Sequence, residues 1–165
     1  MSFSNNMRRT LAKLESMPDF LQPKLRSWAI GRTIPFVATA GLKIETLEER
    51  RLVVSIENVK KVQNHIGTVH AAASALLAET ATGLVVGMNV HDNAIPLMKT
   101  MKISYVRRAQ GDLRAIAELP EAEALRLQTE EKGDLIVPVQ VRDETGEETI
   151  MCEMNWAWVP KKRPA

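Results

Sequence analysis

A chain of 165 residues with 45% apolar content is long enough for one globular domain with a real core. Its net charge of +2, with basic pairs dispersed at Arg50-Arg51, Lys60-Lys61 and Arg107-Arg108, argues against nucleic acid as a partner. The single cysteine, Cys152, excludes an internal disulfide framework and a cysteine-based zinc site, so no metal is expected. The N-terminus has no secretory apolar run behind it, and no stretch is apolar enough to span a membrane, which makes the cytoplasm the expected compartment.

Two short helices are predicted first. Residues 4–16 place Met7, Leu11 and Leu14 at three- and four-residue spacing until Pro18 ends the pattern. Residues 23–30 form a second, turn-rich helix with Leu25 and Trp28 facing inward. After Pro35 the texture becomes β: residues 36–45 and 51–57 read as two strands of a hairpin with its charged turn at Glu48-Glu49-Arg50. A loop over 58–67 leads to a helix with Thr68 as its predicted N-cap.

That helix is the centre of the chain. The run from Val69 to Ala81 is rich in alanine and leucine and apolar on nearly every face, which predicts a buried helix. Between Lys61 and Asp92 only Glu79 is charged. An isolated carboxylate in such surroundings must be paired, hydrogen-bonded or protonated. A structural bond to a neighbouring strand is the plain explanation and a functional carboxylate the sharper one.

Beyond His91, which reads as a surface-loop residue, residues 99–106 alternate as a strand, and Gln110-Gly111-Asp112 turns into a strand over 113–118. Residues 120–132 predict a charged helix stopped at Gly133, with Leu125 best placed to pack. Strands over 135–141 and 149–159 form a last hairpin around Asp143-Glu144-Thr145-Gly146. Cys152, near Met151 and Met154, reads as packing, and Trp156 and Trp158 share one period-two face. The organisation is a helical segment over 1–33, one domain over 34–160 and a solvated tail over 161–165. Two strands, a long buried helix and four further, mostly antiparallel strands predict an α+β fold in which a curved antiparallel sheet wraps the helix. This is the hotdog arrangement, and a second subunit would close its open side.

The segment Asn64-His65-Ile66-Gly67-Thr68-Val69-His70-Ala71-Ala72, continuing to Leu77-Ala78-Glu79, resembles the active-site helix of hotdog acyl-CoA thioesterases. The likeness is to the phenylacetate-pathway and 4-hydroxybenzoyl-CoA branch, and it covers residues 35–159. The N-terminal helices look more like an uncharacterised thioesterase-like branch. The resemblance implies hydrolysis of an acyl-CoA to a carboxylic acid and free coenzyme A, without a cofactor, in a homodimer or homotetramer. Glu79 would be the base or nucleophile. The Ala71 N–H, assisted by the Asn64 amide, would form an oxyanion site, since first-turn N–H groups of a helix are unpaired and carry partial positive charge. His70 would support the helix entry, and small residues at Gly67, Ala71 and Ala72 would let the thioester approach the backbone.

Ala71 and Glu79 are eight residues apart, about 12 Å along one helix. One chain does not easily place both at the same carbon; two antiparallel helices across a two-fold axis do. Arg107 and Arg108, ahead of Lys99 and Lys102, are candidates for the coenzyme A phosphates. Two departures matter. Some relatives carry a threonine one turn after the acid, where this chain has Gly83, and another branch uses a following-strand serine, where only Thr100 offers a hydroxyl. His65, fourteen residues before Glu79, matches the His–Glu separation of hotdog hydroxyacyl-thioester dehydratases, but no proline surrounds it. A catalytically silent acyl-thioester or lipid-binding hotdog protein is the remaining alternative.

Overall fold

The computed structural model describes residues 3–161. Three helices open it, α1 (Asn6–Glu15), α2 (Gln22–Thr33) and α3 (Pro35–Ala40). The hairpin strands β1 (Lys43–Leu47) and β2 (Arg51–Ile56) lead through a 3₁₀ turn at Lys60–Val62 to the central helix α4 (Ala71–Asn89). Then come β3 (Ala94–Tyr105), β4 (Leu113–Glu118), α5 (Glu121–Thr129), β5 (Gly133–Val137), β6 (Val139–Asp143) and β7 (Glu148–Pro160). Every strand pairing is antiparallel, and the sheet runs β1-β2-β4-β6-β7-β3, with β5 also alongside β7.

The sheet packs on α4 through β2, β3, β4, β6 and β7. This is the predicted hotdog arrangement. Twelve of the nineteen residues of α4 are buried, which is what a helix without a polar face requires. Leu77, Val85 and Val86 meet Ile44, Leu52, Ile56, Leu113, Met154 and Trp158 in one core. None of the described helices is long and apolar enough to cross a membrane.

Five local expectations are corrected. Residues 36–40 are helical, and the first strand begins only at Lys43. Pro35 pre-sets the first turn of α3, and Gly41, at φ +77°, ends it in the left-handed conformation that glycine tolerates. The helical segment therefore reaches Ala40. The cap of α4 is His70, not Thr68. Trp28 points outward and is 62% exposed. In α5 it is Ala124 and Leu127 that pack inward, while Leu125 is exposed. Pro138, which has no N–H to give a ladder, divides the expected strand over 135–141 into β5 and β6. The expected tail lies outside the described residues beyond Lys161.

Helix α1 is fastened to the end of α4 by groups complementary to it. The last carbonyls of a helix have no intrahelical partners. The buried Asn5 side chain donates to the Gly87 carbonyl at 2.9 Å and the Val90 carbonyl at 2.7 Å, and Arg8 Nε donates to the Met88 carbonyl at 2.6 Å. Arg8 also brings positive charge to the negative end of the α4 dipole. The same Asn5 oxygen accepts from the Arg8 N–H at 2.9 Å and so caps α1. Asn89, fully buried, joins this cluster by accepting from Arg8 and Gln128 and donating to the Glu49 and Val85 carbonyls.

Candidate active site

The loop before α4 is built by Asn64. Its carboxamide oxygen accepts from the N–H groups of Ile66 and Thr68, both at 3.1 Å, and its nitrogen donates to Thr68 Oγ1 at 2.8 Å. Gly67 takes φ +78°, which turns the chain back so that the Asn64 N–H reaches the Thr68 carbonyl at 2.9 Å. His70 follows with extended backbone, and its Nδ1 accepts from the Ala72 N–H at 3.0 Å. An accepting Nδ1 puts the ring proton on Nε2. The Ala71 N–H is left without a partner among the described residues, and Ala71 and Ala72 are exposed. Asn64, Gly67, His70, Ala71 and Ala72 thus form one continuous entry to α4, with a free donor at its tip.

Two residues of distant elements hold this entry in place. Tyr105, at the end of β3, donates its hydroxyl to the Ala71 carbonyl at 2.8 Å. Arg108 donates to the Ile66 carbonyl at 2.9 Å. Sequence reasoning assigned no role to Tyr105. The neighbouring Arg107 is engaged elsewhere: it donates to the buried Asp143 carboxylate at 2.7 Å and to Thr145 Oγ1 at 2.8 Å. Thr100 lies exposed on β3, opposite Asn155 and just past a bulge. Lys99 pairs with Asp134 at 3.0 Å. Lys102 is exposed on the same strand.

Glu79 lies two turns farther along α4 and lines a cavity of about 500 Å³. The opposite walls come from α1, α2, Pro96 of β3 and Trp156 of β7. Burial alone pushes the Glu79 carboxyl above its ordinary range; no hydrogen bond or ion pair from another described residue pulls it back. The bonded structural glutamate considered above is therefore not what the fold contains. Beside it, the Thr80 hydroxyl is buried, lines the same cavity and has no hydrogen-bond partner. Thr80 is the polar group that sequence reasoning missed: three residues before Gly83 it shares that side of the helix, but nothing in the sequence shows that its hydroxyl is left unpaired.

The glycine at position 83 has a packing cause. A Cβ there would sit 2.6 Å from the Trp156 ring, closer than carbon atoms can approach. The indole in turn donates to Thr82 Oγ1 at 2.9 Å, which fixes the ring against the helix. His65 is exposed on the loop and is not among the residues lining the Glu79 cavity. Cys152 is half-buried, and its thiol is pushed up to about 11 by burial and then by the Glu148 charge, a poor setting for a thiolate.

Four similarities frame this site. A family model described as a domain of unknown function, DUF4442, matches residues 23–159. A Pseudomonas aeruginosa protein of unknown function, described as a probable thioesterase, is 26% identical with a TM-score of 0.75, over 84% of this chain and 95% of that one. A Haemophilus influenzae thioesterase shares the fold at 14% identity and a TM-score of 0.63, over 76% of this chain and 82% of that one. A Staphylococcus aureus thioesterase does so at 20% identity and a TM-score of 0.64, over 76% and 99%. No curated protein is significantly similar to the chain in sequence.

Proposed function

The chain belongs to the DUF4442 family, and we propose that it is an acyl-CoA thioesterase in which Glu79 drives hydrolysis of the thioester. The observation that carries the reading is the unpaired Glu79 carboxyl, held above its ordinary range by burial at the wall of an apolar cavity. A carboxylate so raised is a better base near neutral pH, and it is not neutralised by a structural partner. As base it takes a proton from water while the water oxygen bonds to the carbonyl carbon. The C–S bond then breaks, and the sulfur leaves and regains a proton as the thiol of coenzyme A. As nucleophile it would form a mixed anhydride that water opens to the same products.

The developing oxyanion needs donors, and the unpartnered Ala71 N–H is the best placed group in kind. It lies about 12 Å along α4 from Glu79, so the reading includes a homodimer in which one subunit's helix entry serves the other's carboxylate. The outer edge of β3, twelve residues long and apolar at Ile95, Leu97, Met101 and Tyr105, supports that assembly, because an unpaired apolar edge invites a partner strand. Arg108, beside the helix entry, suits the coenzyme A phosphates better than the Asp143-bound Arg107.

A silent acyl-thioester binder is favoured by one observation: Trp156 fills the space where a hydroxyl one turn past Glu79 would stand. Thiol release from a panel of acyl-CoAs by wild type and Glu79→Gln separates the two readings. A hydrolase loses turnover by roughly 10²–10⁴-fold in the variant while still binding substrate. No release by wild type, with binding intact, establishes the silent binder. Equal turnover by both proteins removes Glu79 from the chemistry.

A further inference from the structure

Glu79, Gly83 and Gly87 follow one another at four-residue spacing on α4 and so share one face of the helix. The cavity of about 500 Å³ makes a trough along this face from Glu79 to Gly87, with the Trp156 ring packed on Gly83 at its side and Met7 on Gly87 at its end. The facing wall is the protein's own N-terminal segment, through Met7 and Leu11 of α1 and Ile30 and Ile34 at the end of α2. The Thr10 and Thr33 hydroxyls also line it but donate to carbonyls of their own helices, Asn6 at 2.8 Å and Ala29 at 3.1 Å. Asn6, exposed at the start of α1, accepts from Arg9 at 2.8 Å, and away from that solvent-facing end the unsatisfied polar groups are the Glu79 carboxyl and the buried Thr80 hydroxyl, adjacent in the chain. Gly87 is covered by Met7, whose sulfur would lie 3.0 Å from a Cβ at that glycine.

A trough that is apolar along its length and polar at one end fits a molecule with the same asymmetry. From Glu79 to Gly87 it spans eight residues, about 12 Å. A zigzag chain of 1.5 Å bonds advances roughly 1.2–1.3 Å per carbon, so about nine or ten carbons span its length.

We infer that this trough is a chain-length gauge for a saturated, medium-length acyl group, with its carbonyl end at Glu79 and Thr80 and its methyl end stopped by Met7 over Gly87. The inference rests on the thioester reading above and adds the substrate class and the residues that set it. The N-terminal helices are then part of the specificity machinery. Gly87→Ala shortens the trough, because the new methyl meets the end of a flexible methionine and not backbone. Met7→Ala lengthens it.

Two measurements on the full-length protein test this. One is kcat/KM for saturated acyl-CoAs from butyryl to palmitoyl. The other is binding of the matching free fatty acids, followed by tryptophan emission, to which Trp156 in the cavity wall contributes. Wild type should peak near ten carbons in both. Gly87→Ala should lower the decanoyl-to-butyryl ratio by about four-fold for each carbon that no longer fits. Met7→Ala should move the peak to longer chains, and Met7→Leu, which keeps an apolar side chain against Gly87, should leave it near the wild-type position. Profiles identical in wild type and Gly87→Ala, or a wild-type profile that rises unbroken to palmitoyl, overturn the gauge. Fatty-acid binding that shifts with the variants in the absence of any thiol release would sink the hydrolase reading and leave the gauge standing. Thiol release with unmoved profiles does the reverse.

Discussion

Replacing Asn5 by alanine removes one side chain that serves two helices. The variant loses the N-cap of α1, worth about 1 kcal/mol. It also loses two hydrogen bonds to the Gly87 and Val90 carbonyls, each worth about 1 kcal/mol and formed by a side chain on a residue only 2% exposed. The whole comes to about 3 kcal/mol, which for a domain of this size lowers Tm by roughly 6–12 °C. Asn5→Ser keeps an oxygen for the cap but not the two donors, and should recover about a third of the loss. Asn5→Asp keeps the cap but sets a carboxylate beside the carbonyl end of α4, so it should be no better than alanine. Thermal unfolding followed by circular dichroism gives the global cost, and amide hydrogen exchange over α1 shows whether that helix opens first. A loss of less than about 0.5 kcal/mol for Asn5→Ala, with α1 exchange unchanged, would refute this account of how the N-terminal helices are held.

Glu79→Gln should be more stable than wild type at neutral pH. Burial raises the folded-state carboxyl above the unfolded value of 4.5, so the unfavourable charge appears as pH rises from 4.5 through the folded pKa, and the advantage of glutamine should vanish below 4.5. A melting-temperature gap that is independent of pH would contradict the burial argument. Gly83→Ala should cost about 1–3 kcal/mol through its clash with Trp156, and Trp156→Leu in the same chain should relieve part of it, which denaturant titration of the two variants measures. Burial of Asp143 opposes its charge, but Thr145, the Gln110 N–H and Arg107 outweigh it and hold the carboxyl below its ordinary 3.8. The stability this supplies should be present above pH 3.8 and lost as pH falls through the lowered value, a loss absent from Asp143→Asn in acid-unfolding curves. Arg107→Ala should therefore destabilise the fold by about 1–2 kcal/mol, whereas Arg108→Ala should raise KM with kcat nearly unchanged; steady-state kinetics showing the opposite pattern would exchange their roles.

The parts of this molecule visible in the sequence are those set by chain-local pattern. The apolar texture around Glu79 marked α4 and its burial, and strand-like stretches bounded by turns marked β2, β4 and β7. The segment from Pro35 to Ala40 misled because its β-branched and aromatic residues suggest a strand, although the Pro35 and Gly41 bracket carries the helical signal. Trp28 and Leu125 misled for a different reason: a large apolar side chain was assumed to face inward, and nothing local says which face of a short helix meets the sheet. At the candidate site, the entry residues from Asn64 to Ala72 were singled out by a family resemblance, and they lie together in one loop and helix start. The Asn5 and Arg8 clamp, the Tyr105 bond to Ala71 and the Trp156 ring over Gly83 were not, because each joins positions at least 34 apart in the chain and depends on how strands and helices register in space. Thr80 was hidden for the same reason: a hydroxyl without a partner is a property of its surroundings.

The clamp between α1 and α4 also bears on how the chain assembles. Asn5 leaves the ribosome well before its acceptors at Gly87 and Val90, which lie 82 and 85 positions later. Until α4 has formed, α1 has nothing to cap and only its own short length to keep it helical, which is marginal in water. Contacts of such separation are made late, after the hairpins and α4 have found each other. Changes at Asn5 or Arg8 should then leave the folding rate almost untouched and appear as faster unfolding, the signature of an interaction absent from the transition state. The wall facing Glu79 is accordingly the last piece set in place, and a nascent chain has no closed cavity until its first helix returns to the end of its fourth.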